Sequence, residues 1–171
     1  MKQLLFSLIF VSVLITVEGF GQVGERVVLV EVVNTKKQVV SLPMLGEKNL
    51  LIFYADPSHP RQNKSFRTYL KKHPINSPGI DSYGVVNMAA APMLSDDLIR
   101  KMALKEIRGT NAQVYFDPKG VLAETWHLPG ANRNFAIIFV NRDQVIEFYK
   151  AGQLTQQEQN QVLDLIQKYK E

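Results

Sequence analysis

The sequence predicts an α/β domain: a three-layer sandwich with a central mixed β-sheet and helices on both faces. Three observations carry this. Short apolar runs alternate with helical segments along most of the chain, the pattern of strands joined by crossover helices. Asn49 is followed by an unbroken apolar run, Leu50 to Tyr54, expected of a strand buried on both faces. That run leads into a Pro-rich loop, Asp56-Pro57-Ser58-His59-Pro60, and then a helix, so its carboxyl end is where ligands collect in such sheets.

The N-terminal 21 residues stand apart from the fold. Lys2 supplies a positive charge, Leu4 to Val17 is an apolar stretch of 14 residues, and Gly19 and Gly21 are small residues ahead of a cut before Gln22. A spanning helix needs about 20 residues, so the segment is expected to be a signal peptide over 1–21, with one exported domain over 22–171. The alternative is an uncleaved N-terminal anchor. Of the 171 residues, 46% are hydrophobic, enough for one core, and 21% are charged, which argues against global disorder. The net charge of +4 is too small an excess to suggest a nucleic-acid module. There is no cysteine, which excludes disulfides, thiol catalysis, thiolate metal sites and a lipidated cysteine.

Taken in order, Val27 to Val33 and Val39 to Leu42 are expected to be strands around the turn Asn34-Thr35-Lys36-Lys37. After the central strand, Ser58 is expected to cap a helix with Pro60 in its first turn. Phe66, Tyr69, Leu70 and His73 form its apolar arc; Arg61, Lys64, Arg67, Lys71 and Lys72 form a basic one. The basic arc suits a solvated face, or peripheral contact with an anionic membrane or acidic partner. Tyr83 to Met88 is the next strand. Ser95 with Asp96 and Asp97 starts a helix whose buried stripe is expected to be Leu98, Ile99 and Met102, with Met93 and Met102 as core filler. Gln113 to Phe116 is a strand, Asp117-Pro118-Lys119-Gly120 a turn and Val121 to His127 a short helix. Ala136 to Val140 and Val145 to Tyr149 form a hairpin. Thr155 and Glu158 make a capping box for a last helix buried through Val162, Leu165, Ile166 and Tyr169.

The strand, loop and helix entered through Phe53-Tyr54-Ala55 resemble the active-site segment of the thioredoxin fold, and the leading hairpin resembles its TlpA-like and peroxiredoxin-like branches. In place of Cys-x-x-Cys stand Ser58, His59, Pro60 and Arg61. The stretch from Val114 to Leu165 is similar to the YtfJ family, through Tyr115-Phe116-Asp117-Pro118-Lys119-Gly120, Trp126-His127-Leu128, Ala136-Ile137-Ile138-Phe139 and Ala151-Gly152-Gln153-Leu154-Thr155. Val86-Asn87-Met88 also fits that family's central strand. This resemblance implies a thioredoxin-like fold, an exported and usually periplasmic address, and no established catalytic role. Thioredoxins place a cis-proline before the strand facing the active loop. Here Phe135, after Asn134, takes that place, and a trans peptide is expected.

Three loops are expected to converge at the crevice: Asp56 to Arg61, Trp126 to Pro129, and Asn132 to Phe135. The candidate binding residues are Asp56, Ser58, His59, Arg61, Trp126, His127, Asn132, Arg133, Asn134 and Phe135. Aromatic and Arg side chains dominate interface energetics, but Trp126 and Phe135 could equally fill core space. No catalytic residue is assigned. Ser58 beside His59 suggests a nucleophile and base, with Asp56 the one identifiable acid. The alternative is a capping Ser beside an exposed His. The helix start after the loop, near Arg61 and Lys64, could also hold an anion. His59, His73 and His127 have no metal-ligand spacing, and no phosphate-binding Gly motif or cofactor signature is present. Two functions remain: an envelope binding or accessory protein taking an unknown envelope protein or small ligand, and a non-thiol or cofactor-borrowing enzyme at the same crevice.

Overall fold

The computed structural model describes residues 22–170; the expected signal segment 1–21 lies outside the described residues. Seven strands form one mixed sheet, β1 (Glu31–Val33), β2 (Val39–Ser41), β3 (Asn49–Ala55), β4 (Ile80–Asn87), β5 (Gln113–Asp117), β6 (Ala136–Val140) and β7 (Ile146–Ala151), in the order β2-β1-β5-β4-β3-β6-β7. The helices are α1 (Lys64–Lys72), α2 (Asp96–Glu106), α3 (Val121–Thr125) and α4 (Gln156–Lys168). β3, β4 and β5 are parallel; β6 lies antiparallel on the other side of β3. The connections through α1 and α2 step in one direction across the sheet, so right-handed crossovers place both helices on one face. The connection through α3 steps back past β4 and β3, and α3 covers the opposite face.

Alternation along β3 divides the core accordingly. Leu50, Ile52 and Tyr54 pack with Leu122, Ala123 and Trp126 on the α3 face. Leu51 packs with Phe66, Phe135, Ile137, Phe139 and Val162 beneath α1 and α4. Under α2 a third cluster joins Val86, Ile99, Val114 and Phe116. The three layers match the expected class.

Four expectations are corrected. Of the Val-rich run only Glu31–Val33 is strand. Arg26 bridges to Val145 beside β7, whereas β1 lies across the sheet next to β5, so Val27 to Val30 crosses one face as a strap. Val27 and Val30 face inward while Val28 and Leu29 are exposed, because a strap crossing the strands cannot share their ladder. The α2 stripe is Ile99, Ala103 and Ile107, one turn apart, and Leu98, Met102 and Met93 face outward. The helix meets the sheet along a narrow line over β4 and β5, so only one residue per turn reaches it. His73 lies at the exposed C-terminal end of α1, stacked on Tyr69 with ring centres 4.3 Å apart, rather than in the core. The fourth correction, the start of α1, shapes the site and is taken up below.

The caps of α2 and α4 form as expected. Ser95 Oγ accepts from the Leu98 N–H, and the Thr155–Glu158 box is reciprocal, with Glu158 Oε2 accepting from the Thr155 N–H at 2.7 Å. Glu147 joins β7 to the end of α4: it accepts from Asn141 Nδ2 at 2.8 Å, Lys168 Nζ at 3.0 Å and the Tyr169 hydroxyl. Burial alone would raise its carboxyl, but the hydrogen bonds and the Lys168 charge outweigh that and hold it below its ordinary 4.5. Because the folded value is the lower one, this contribution is complete above the ordinary range and is lost as pH falls through the depressed native value. Acid unfolding followed by circular dichroism should therefore show a loss of stability beginning below pH 4.5 that is shallower in Glu147→Gln.

Candidate functional site

β3, β4 and β5 end level with one another on three buried polar residues. Asn87 pairs with Asp117, and Asp56 lies one residue beyond the Ala55–Val86 pair. Each has a different role. Asp117 is structural: Oδ1 accepts from the Val121 N–H, and Oδ2 from the Leu122 N–H and the Tyr54 hydroxyl, all at 2.9 Å. Burial, with the Asp117 carboxylate beside it, pushes the Tyr54 phenol far above its ordinary range. Asn87 donates to Asn132 Oδ1 at 2.8 Å, and its own amide oxygen is enclosed without a partner. Gly120 runs close by; a Cβ there would lie 3.5 Å from both amide oxygens.

Asp56 organises the Pro-rich loop. Oδ1 accepts from the Ser58 N–H and Oδ2 meets His59 Nδ1, both at 2.7 Å. The carboxylate side chain is 1% exposed and the imidazole 44%. In the neutral tautomer that donates Nδ1–H to the carboxylate, Nε2 carries the lone pair of a base or ligand; in the imidazolium both nitrogens donate and Nε2 can meet an acidic group. Ser58 and His59 do not pair with each other. Ser58 Oγ donates to Ala90 O at 3.4 Å, and the working pair is Asp56 with His59, three residues apart.

Ser58 does not cap α1 either. Residues 58–62 form successive turns, and the helix begins at Lys64 behind Asn63, a left-handed residue with φ 56°. Asp56 draws the Ser58 N–H into its own turn, and the prolines on either side prevent a continuous helical start. The helix start near Arg61 and Lys64 therefore lies at Lys64, behind Asn63, and not at Ser58. Asn63 is fully buried and ties the loop to the end of β7: its amide donates to Gly152 O, its side-chain oxygen accepts from the Leu154 N–H, and its own N–H donates to Gln153 Oε1, each at 2.8 Å. Gln62 performs the same service toward β6, accepting from the Phe135 N–H at 2.7 Å and donating to Asn134 Oδ1 at 3.1 Å.

The loops Asp56 to Arg61 and Asn132 to Phe135 thus meet through Gln62, two of the three loops expected to converge; the third, Trp126 to Pro129, is tied to Val28 and to Tyr149 instead. Asn132 and Arg133 are exposed and Asn134 is half-buried. Two aromatic candidates are corrected. Trp126 is 3% exposed; its indole N–H donates to Val28 O at 2.8 Å, clamping the strap on the α3 face. Phe135 is 3% exposed, packs against Phe53, and carries the Arg67 guanidinium 5.0 Å above its ring centre. Both fill core, Phe135 because its side chain points into the α1 layer where a proline ring would be smaller. No cis peptide occurs among the described residues. His127 is exposed in a left-handed turn with φ 49°, and among the described residues no side-chain hydrogen bond links it to the crevice.

Arg67 is also not solvated. It donates to Pro60 O at 2.7 Å and Glu106 Oε1 at 3.0 Å, fixing the loop from beneath, while Lys71 shares Glu106. Arg61, Lys64 and Lys72 remain exposed. The groups holding the loop, Gln62, Asn63 and Arg67, were missed because their partners lie far away in sequence; the only local signal was Asn, a residue tolerant of αL, just ahead of the helical arc. Among the described residues no group of three His, Asp or Glu side chains could hold a metal, and no helix is long and apolar enough to cross a membrane.

A family model described as a bacterial protein of unknown function (YtfJ_HI0045) matches residues 62–169. No curated protein matches. Among solved structures, the chain is similar to a peroxiredoxin-like protein from Aquifex aeolicus (12% identity, 86% of each chain covered, TM-score 0.61). It is also similar to an exposed lipoprotein thioredoxin of Streptococcus pneumoniae (14%, 82% of this chain and 99% of that one, 0.60). A third likeness is to the thioredoxin domain of a thiol-disulfide oxidoreductase from Bacteroides vulgatus (18%, 84% and 97%, 0.59). At these identities the likeness shows the thioredoxin-like fold and nothing finer.

Proposed function

The chain belongs to the bacterial family of unknown function YtfJ_HI0045, and from that premise we propose an exported, periplasmic binding or accessory protein without thiol-disulfide activity. Its partner is an acidic group on an envelope protein or small ligand, taken at the crevice by His59, Arg61 and Arg133. One observation carries the reading. No cysteine remains to be presented, yet the loop that would present it is held by the buried Asp56 and Asn63 and by the half-buried Gln62 and Arg67. A surface loop without a task would not need so many buried polar partners, each of which costs desolvation. Preorganisation of this kind favours recognition by reducing the ordering cost of binding.

The test is capture from an envelope extract, with stability measured in parallel. Arg61→Ala and Arg133→Ala should each leave unfolding within about 0.5 kcal/mol of wild type, whereas His59→Ala strips the buried Asp56 carboxylate of a partner and should cost about 1–3 kcal/mol. All three should weaken capture by the folded protein about tenfold or more, the loss of about 1.4 kcal/mol or more at an interface hot spot. Capture unchanged in all three would mean the crevice is not the site. A second reading, non-thiol chemistry, is favoured by the 2.7 Å Asp56–His59 pair. Metal-depleted protein that turns over a substrate, and loses this in His59→Gln while capture persists, would select that reading.

A further inference from the structure

Away from the crevice, α2 and the β1–β2 turn enclose an open groove of about 380 Å³. Lys37, Arg100, Lys101, Lys105 and Arg108 line it, with Asp97 the one carboxylate. Lys101 and Lys105 are one turn apart on α2 and Arg108 follows in the turn after it, so like charges stand as neighbours, an arrangement that destabilises a helix unless something compensates it. Asp97 offers little, since it meets Lys37 at 3.4 Å with both side chains largely exposed. The contrast with α1 is direct. There Arg67 and Lys71, also one turn apart, share Glu106.

Arg100 adds a second, independent observation. Its guanidinium lies over the Phe116 ring at 4.2 Å from the centre, and Nη1 is enclosed without a hydrogen-bond partner. The enclosed Nη1 lies against the ring and fixes the guanidinium plane, while Nε and Nη2 are not enclosed; a planar fork held in this way is suited to present its free edge to an oxyanion.

We infer that this groove, between α2 and the β1–β2 turn, is a binding site for a phosphate-type oxyanion, with Arg100 as its central donor and Lys101, Lys105 and Arg108 as its cationic wall. The volume suits a small ligand or a single headgroup. The chemistry is shared by soluble phosphoryl compounds and anionic lipid headgroups, and the two are separable by experiment.

The purified protein is titrated with inorganic pyrophosphate, followed by amide chemical shifts, and in a second arm with phosphatidylglycerol vesicles by sedimentation. Wild type should saturate in at least one arm, with the shift changes in the pyrophosphate arm confined to Lys37 and residues 100–108. Arg100→Gln should weaken that binding about tenfold, the loss of one charge-assisted hydrogen bond. Because Arg100 also packs on Phe116, the exposed pair Lys105→Gln with Arg108→Gln provides a variant that leaves the core alone, and it should weaken binding severalfold with unchanged unfolding. Saturation by pyrophosphate identifies a soluble source and saturation by vesicles alone a lipid one; both uphold the site. Saturation in neither arm, or wild-type affinity in the Lys105/Arg108 variant, overturns it.

Discussion

Trp126→Ala is expected to lower the stability of the domain by about 3–5 kcal/mol, the range for truncating a buried aromatic. The indole lies among Leu122, Leu128 and Ala131 on the α3 face, so its removal opens a cavity there. It also leaves Val28 O without the indole donor, and Val28 belongs to the strap that crosses this face. The strap has little else to hold it: the bridge at Arg26, bonds from the Val27 N–H to Gln144 O and from the Leu42 N–H to Val30 O, and two inward valines. Two measurements check this together. Chemical denaturation gives the loss in midpoint, and hydrogen exchange should show faster opening of residues 26–30 than of β3. Capture of the crevice partner by the folded fraction should be unaffected. A Trp126→Ala protein that unfolds like wild type but loses the partner would return Trp126 to the recognition surface.

What the sequence made legible was what is local. β3 and β6 are runs of residues with no polar face, the Thr155–Glu158 box is complete within four positions, and Ser95 caps through its own third successor. The Val-rich segment before Asn34 was ambiguous for a physical reason. A short Val-rich run has the composition of a strand whether it pairs or crosses a sheet face, and the position of its ends shows which it does. The stripe of α2 was misplaced by one residue for a related reason. Leu98 and Met102 are as apolar as Ile99, and the choice of face depends on how the helix meets β4 and β5. At the crevice, residue type drew attention to the loop but did not reveal which side chains pair within it. His59 turns to Asp56 because the turn at Ser58 brings positions three apart together, whereas neighbouring side chains diverge. Arg67 looked like one more basic residue on an outer arc. Its partners, Pro60, Glu106 and Phe135, meet only in the folded chain.

Asn63→Ala is expected to cost about 3–8 kcal/mol, from two buried hydrogen bonds lost at about 1–3 kcal/mol each and a left-handed residue without a compensating side chain at about 1–2 kcal/mol. The bonds to Gly152 O and from the Leu154 N–H are both 2.8 Å, and the site is fully buried. The two contributions separate in Asn63→Gly, which accepts φ 56° without strain but makes neither side-chain bond. Glycine should therefore recover about 1 kcal/mol of the loss and no more. The larger effect is on the loop. Asn63 stands between Gln62, which holds Phe135 and Asn134, and the start of α1, so releasing it frees the segment that positions Asp56 and His59. Amide exchange at residues 58–62 should rise in both variants well above the change in β3, and capture should fall even at temperatures where the protein is folded. If Asn63→Gly unfolds early yet captures its partner at wild-type strength while folded, the rigidity of the loop is structural only, and the argument from preorganisation to recognition fails.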